Sequence, residues 1–81
     1  MTLYALHYGT RRNRFYGLYT ERPTVVERTV TDERTGRSTT LYESPDQLQL
    51  NVCVSGFERL FGIAVPLGGV CRITFEVDDE C

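Results

Sequence analysis

The sequence predicts an α+β domain: an antiparallel sheet of four to five strands, built from two N-terminal hairpins and a C-terminal strand, with one helical segment on one face. Three observations lead there. Residues 2–42 hold two pairs of aromatic or β-branched runs, each pair joined by a short polar turn. Residues 44–47 combine several helix-start signals, and residues 70–77 alternate apolar and polar side chains at the strand period. The 81 residues make a single domain over 1–77 followed by an acidic tail over 78–81. A chain this short buries only about 60–65% of its unfolded surface, so its core is thin and leaves little room for an internal cavity.

The first run, Thr2 to Tyr8, is aromatic and aliphatic without a helical stripe and stops at Gly9-Thr10, which reads as a strand. Arg11-Arg12-Asn13 supplies a polar turn, and Arg14 to Tyr19 resumes the β character, so the two form an antiparallel hairpin. Gly17 inside the second strand marks a bulge or a close backbone approach. Pro23 lies just beyond it. Thr24 to Thr31 is β-branched and favours extended backbone. Asp32-Glu33-Arg34-Thr35-Gly36 then fits a type I turn closed by a glycine at positive φ, and Arg37 to Tyr42 returns as the partner strand. Both arms of this second hairpin are rich in Thr, Arg, Glu and Ser, so at least one of its faces is in water.

Ser44-Pro45-Asp46-Gln47 offers a cap, a proline at the first helical position, an acid in the first turn and a glutamine three after the serine. Residues 48–61 carry both periods. Leu48, Leu50, Val52 and Val54 alternate as in a strand, whereas Leu50, Val54, Phe57 and Phe61 fall at helical spacing. The capping signals favour a helix opening at Pro45 and ending at Gly62, with a break available at Ser55-Gly56, where Ser55 to Glu58 forms a second capping box. Val70 to Val77 closes the sheet, with Cys71, Ile73 and Phe75 inward and Arg72, Thr74 and Glu76 outward.

Charge is unevenly divided. Residues 1–42 hold seven Arg against four acids, a net of +3, and residues 43–81 hold two Arg against seven acids, a net of −5. Such asymmetry points to a charged partner. Lysine is absent, which fits the codon usage of a GC-rich bacterium or its phage better than a site-specific need for guanidinium. No apolar run reaches the roughly 18 residues of a membrane span and no signal peptide opens the chain, so the expected location is the bacterial cytoplasm.

No catalytic constellation stands out. The single histidine, His7, would have to meet Cys53 or Cys71, and nothing local supports that pairing. One His and three scattered Cys do not make a zinc motif, so no metal and no cofactor is expected. Cys53 and Cys71 read as small apolar core residues and Cys81 as exposed. Five Tyr and four Phe exceed what a thin core hides, so some rings should be exposed.

The expectation is therefore a non-enzymatic protein that binds a macromolecule, contacting it through Arg11, Arg12, Arg14 and Tyr16 on one side and Glu76, Asp78, Asp79 and Glu80 on the other. In its most concrete form it is a phage or mobile-element inhibitor of a bacterial nucleic-acid-handling complex, such as a CRISPR effector. Its acids would occupy the basic groove of that bacterial protein or ribonucleoprotein. The alternative is a nucleic-acid-binding regulator that uses the Arg11 to Tyr19 hairpin, with cations on phosphate and rings on bases. A homodimer is compatible with either.

Overall fold

In the computed structural model, which describes residues 1–74 and Glu76, the chain forms an antiparallel sheet with a single helix packed against it. The strands are β1 (Thr2–Gly9), β2 (Arg14–Tyr19), β3 (Val26–Thr31), β4 (Ser38–Glu43), β5 (Leu50–Cys53) and β6 (Val70–Thr74), and the helix α1 (Val54–Phe61) lies between the last two. The sheet order is β3-β4-β1-β2-β5, and β6 pairs Thr2 to Leu6 of β1 on the side where β4 meets Gly9. Both expected hairpins and the C-terminal strand are present.

Residues 45–53 depart from the expected helix. Ser44 and Asp46 satisfy each other locally: the Asp46 N–H donates to Ser44 Oγ at 3.2 Å, and Asp46 Oδ2 accepts from the Thr24 N–H at 2.6 Å. The capping signals thus build a loop. Leu50 to Cys53 then pairs with Leu18 to Phe15, so the alternating pattern prevails because the outer edge of β2 offers backbone bonds that a helix would leave unused. The helix begins only at Val54, with Cys53 at the N-cap position and Ser55 inside the first turn. It ends as expected at Gly62, whose φ of 65° lets its N–H return to the Glu58 carbonyl at 2.8 Å.

The core lies between α1 and the sheet. Ala5, Tyr16, Leu18, Phe57 and Ile73 are buried, with Val54, Phe61, Ile63 and Val65 packed around them. The opposite face is also covered. Leu6 is fully buried there, the loop of residues 44–49 crosses the sheet with the Gln49 N–H on the Leu18 carbonyl at 2.9 Å, and the Arg22 guanidinium sits 5.2 Å from the Tyr4 ring. A Cβ on Gly17 would lie 2.7 Å from Leu48 Cδ1, so this glycine serves a close approach within an unbroken β1–β2 register, without a bulge. Of the described rings, Tyr16, Tyr19 and Phe57 are buried and Tyr4, Tyr8, Phe15, Tyr42 and Phe61 are half-buried, so the surplus that the thin core cannot hide is partly covered and none of it is exposed outright.

The second hairpin is different. Every residue of β3 is exposed, and among the described elements β3 touches none except β4. The molecule measures 57 × 23 × 17 Å, and this hairpin forms an arm extending beyond the sheet. Its tip is the expected turn: the Gly36 N–H reaches the Asp32 carbonyl at 2.7 Å, the Arg34 N–H reaches Asp32 Oδ1 at 2.9 Å, and Gly36 has a φ of 71°.

Candidate macromolecular interface

The β1–β2 turn is a tight loop in which Thr10 and Asn13 exchange backbone bonds at 3.0 and 3.2 Å. It carries Arg11 and Arg12, both exposed, and Arg14, opposite Gly9 in the register, is exposed as well. Arg11 and Arg12 face the arm across a groove of about 950 Å³. Thr10 and Leu67 complete the near wall, and Arg37, Ser38, Thr39 and Thr40 form the far one. Three guanidiniums from segments 25 residues apart thus meet at one groove, with Asp32 the lone acid among its lining residues. That carboxylate is already engaged by the Arg34 N–H. Among the described residues the ion pair in the arm is Arg28 with Glu43 at 3.4 Å, well exposed and worth less than about 1 kcal/mol.

Tyr16 is not on this surface. It is fully buried, stacked on Phe57 with ring centroids 3.8 Å apart and on His7 at 4.5 Å. Its hydroxyl accepts from the Val65 N–H at 2.9 Å and donates to the Val65 carbonyl at 3.2 Å. The side chain points to the helix face because it shares a register row with His7 and Val52. A ring held there cannot stack on a base or reach a partner. The expected acidic group is only partly placed: Glu76 is exposed, and Asp78, Asp79 and Glu80 lie outside the described residues, as does Cys81. Thr74 pairs with Thr2 and Arg14 with Gly9, so β6 ends at the opposite end of β1 from the arginine turn. Seven residues at ~3.3 Å each place Thr74 and the arginine turn roughly 23 Å apart.

His7 and the cysteines form no reactive pair among the described residues. His7 is buried, and its Nδ1–H donates to the Val65 carbonyl at 2.6 Å, which fixes the tautomer and leaves Nε2 without a partner among the described residues. Cys71 is half-buried against the core, as expected, but Cys53 is exposed, because it closes β5 and opens α1. Its thiol is held below the ordinary range near 9, chiefly by the Gly56 N–H at the helix start, then by the Ser55 hydroxyl and Arg59. No group of three or more His, Cys, Asp or Glu among the described residues is arranged to hold a metal ion. A smaller cleft of about 390 Å³ between residues 19–24 and 46–49 is lined by polar groups such as Asp46 that already serve the fold. No helix among the described residues is long and apolar enough to cross a membrane.

Two features were beyond reach of the sequence. The exposure of both faces of β3 was visible only as a lack of apolar period in residues 24–31, and the approach of Arg37 to Arg11 and Arg12 had no sequence signal, being set by the Gly9 to Tyr42 pairing that joins β4 to β1. No protein family, curated protein or solved structure matches this chain.

Proposed function

We propose that the chain is a non-enzymatic protein that acts by binding a protein or ribonucleoprotein partner, and that the β3–β4 arm with the Arg11 to Arg14 turn at its base is the contact surface. One observation carries this reading. All six residues of β3 and Ser38 to Thr40 of β4 extend into water and, among the described elements, β3 touches β4 alone and contributes nothing to the core. An isolated two-stranded ribbon is marginal by itself, so a fold that keeps one gains from a partner that covers it. The exposed Val25, Val26 and Val30 beside Arg28, Arg34 and Arg37 supply the mix of apolar and guanidinium contacts common at interfaces. In the more specific form, the partner is a bacterial nucleic-acid-handling complex such as a CRISPR effector. The chain inhibits it by covering its nucleic-acid surface, with Glu76, Asp78, Asp79 and Glu80 in the basic groove.

The test uses the fact that Arg28 and Leu41 are directly paired, so residues 29–40 can be replaced by a short Asn-Gly turn that leaves the Tyr42 to Gly9 pairing in place. The shortened chain should keep its cooperative melt and lose capture of the partner taken from a bacterial lysate by the intact chain. Equal capture by both forms would refute the arm as contact surface. For the inhibitor form, the captured complex must lose nucleic-acid binding when the chain is added.

The alternative, a nucleic-acid-binding regulator, is favoured by the meeting of Arg11, Arg12 and Arg37 and opposed by the burial of Tyr16. Salt-sensitive binding to DNA or RNA that disappears in Arg11→Glu with Arg12→Glu would establish it over the first reading.

A further inference from the structure

We propose that the groove between the Arg11–Arg12 turn and the inner edge of β4 receives an extended acidic peptide of the protein partner as an added β-strand. This deepens the contact-surface reading and rests on it. The Asp32 N–H donates to the Arg37 carbonyl at 2.8 Å, which makes that pair a hydrogen-bonded one. Bonded and non-bonded pairs alternate along an antiparallel ladder, so Thr39 and Leu41 turn their backbone groups toward β3. Ser38, Thr40 and Tyr42 therefore turn theirs the other way. Tyr42 meets β1 at Gly9, where β1 stops, and among the described residues the inner edge at Ser38 and Thr40 has no strand beside it.

That open edge is one wall of the groove. Ser38 and Thr40 line it, and Arg11, Arg12 and Leu67 stand opposite. A strand edge offers alternating N–H donors and C=O acceptors. An extended peptide matches both, whereas a phosphodiester backbone presents acceptors and would leave the carbonyls facing its negative charge. The guanidiniums then decide which peptide fits. Arg11, Arg12 and Arg37 against the single, already engaged Asp32 leave the groove net positive, and their forks suit carboxylates that an added strand projects at alternate positions. An acidic strand also avoids self-association through this edge, because the groove repels a second basic one.

The experiment uses the intact chain and a fluorescein-labelled short peptide alternating Glu with Val, followed by fluorescence anisotropy. Binding should be saturable and should weaken by roughly tenfold in Arg11→Gln with Arg12→Gln and in Arg37→Gln. Arg59→Gln, on the helix and outside the groove, should leave it unchanged. The same peptide N-methylated at alternate amides along one edge keeps its charge and loses its donors, so it should bind only weakly if strand addition is the mode. Unchanged affinity of that peptide, tighter binding of a single-stranded oligodeoxynucleotide, or no saturable binding would each overturn the proposal. If the peptide fails while removal of residues 29–40 still abolishes partner capture, the groove assignment falls and the contact surface stands. Capture that survives the removal overturns the contact surface itself.

Discussion

Tyr16 and Phe57 stack ring on ring, with centroids 3.8 Å apart and planes 12° from parallel, and this pair fastens the helix to the sheet. His7 lies on the other side of Tyr16 at 4.5 Å and 13°, so three rings form one column through the core. Val65 closes it, giving its N–H to the Tyr16 hydroxyl and sharing its carbonyl between that hydroxyl and His7. The loop after α1 is thereby tied to the strands by side chains at Val65, and by backbone bonds between His7 and Gly68 and Gly69 further along.

Tyr16→Phe keeps the stack and removes the clamp. The Val65 N–H loses its acceptor, while the carbonyl retains His7. A fully buried group left unpaired costs about 1–3 kcal/mol, so the part-buried Val65 N–H sets the loss toward the lower end, and in a domain of this size each kcal/mol lowers Tm by roughly 4–8 °C. Phe57→Ala empties the middle of the helix–sheet contact and costs about 3–5 kcal/mol, close to the whole stability of a small domain. Thermal melts followed by circular dichroism should show a lowered but cooperative transition for the first variant and loss of the transition for the second.

Gly36→Ala tests whether the arm is energetically separate. Gly36 has a φ of 71° with no atom within 4 Å of a built Cβ, so the substitution adds backbone strain without a clash, costing about 1 kcal/mol. Among the described elements β3 has no neighbour but β4, so the cost should stay in the arm. Amide exchange should accelerate over residues 26–43 by roughly fivefold, with protection in β1 and β2 unchanged. Equal acceleration throughout would show that arm and core open together.

The two hairpins and the closing strand were legible because each combines a period with a turn that demands particular residues: Arg11 to Asn13, and Asp32 with Gly36. Residues 45–53 were not, because local and tertiary signals conflicted there. Ser44, Pro45 and Asp46 are good helix starters, yet their polar groups find partners in a loop, and the free edge of β2 decides in favour of a strand. The same limit applied to the surface. Arg11 and Arg12 are exposed as expected, whereas Tyr16, three residues beyond the turn tip, is buried because strand parity turns it toward the helix. Residue type identified a candidate contact, and only the register could exclude it.

Cys53 and Cys71 should differ sharply in reactivity. Cys53 is exposed, with its thiol pKa lowered first by the Gly56 N–H and further by Ser55 and Arg59, whereas Cys71 is half-buried against the core. The lowered value raises the thiolate fraction below pH 9, so in a Cys81→Ser background iodoacetamide should label Cys53 several-fold faster than Cys71 at pH 7. The advantage should narrow as pH rises above the ordinary thiol value. Peptide mapping by mass spectrometry reads both rates, and similar rates at pH 7 would contradict the exposed N-cap position of Cys53.

Alkaline pH should weaken the fold through Tyr19. Burial is the main cause that raises its pKa above 10.0, with Tyr8 and Asp46 adding to it and a bond from Ser44 opposing. An acid with a raised folded pKa keeps its proton longer in the native state than in the unfolded one. Stability is therefore intact below about pH 10 and falls as pH rises past the unfolded value. Urea midpoints measured from pH 8 to pH 11 should decline at the top of that range, and Tyr19→Phe should flatten the decline.

Gly17 and Leu48 offer a test of how the second face of the sheet is sealed. A Cβ at position 17 would lie 2.7 Å from Leu48 Cδ1 and 3.1 Å from the Tyr19 ring, so Gly17→Ala forces Leu48 or the ring aside at a cost of about 1–3 kcal/mol. Leu48 is already 38% exposed, and Leu48→Ala alone should cost less than a full core truncation. Combined, the two substitutions relieve each other, since shortening Leu48 makes room for the added methyl. A double-mutant cycle from urea unfolding should give the pair a smaller loss than the sum of the singles, by at least about 0.5 kcal/mol. Strict additivity would mean that the Tyr19 ring, not the 44–49 loop, takes the strain, and that the loop is more loosely seated on the sheet than the Gln49 to Leu18 backbone bond implies.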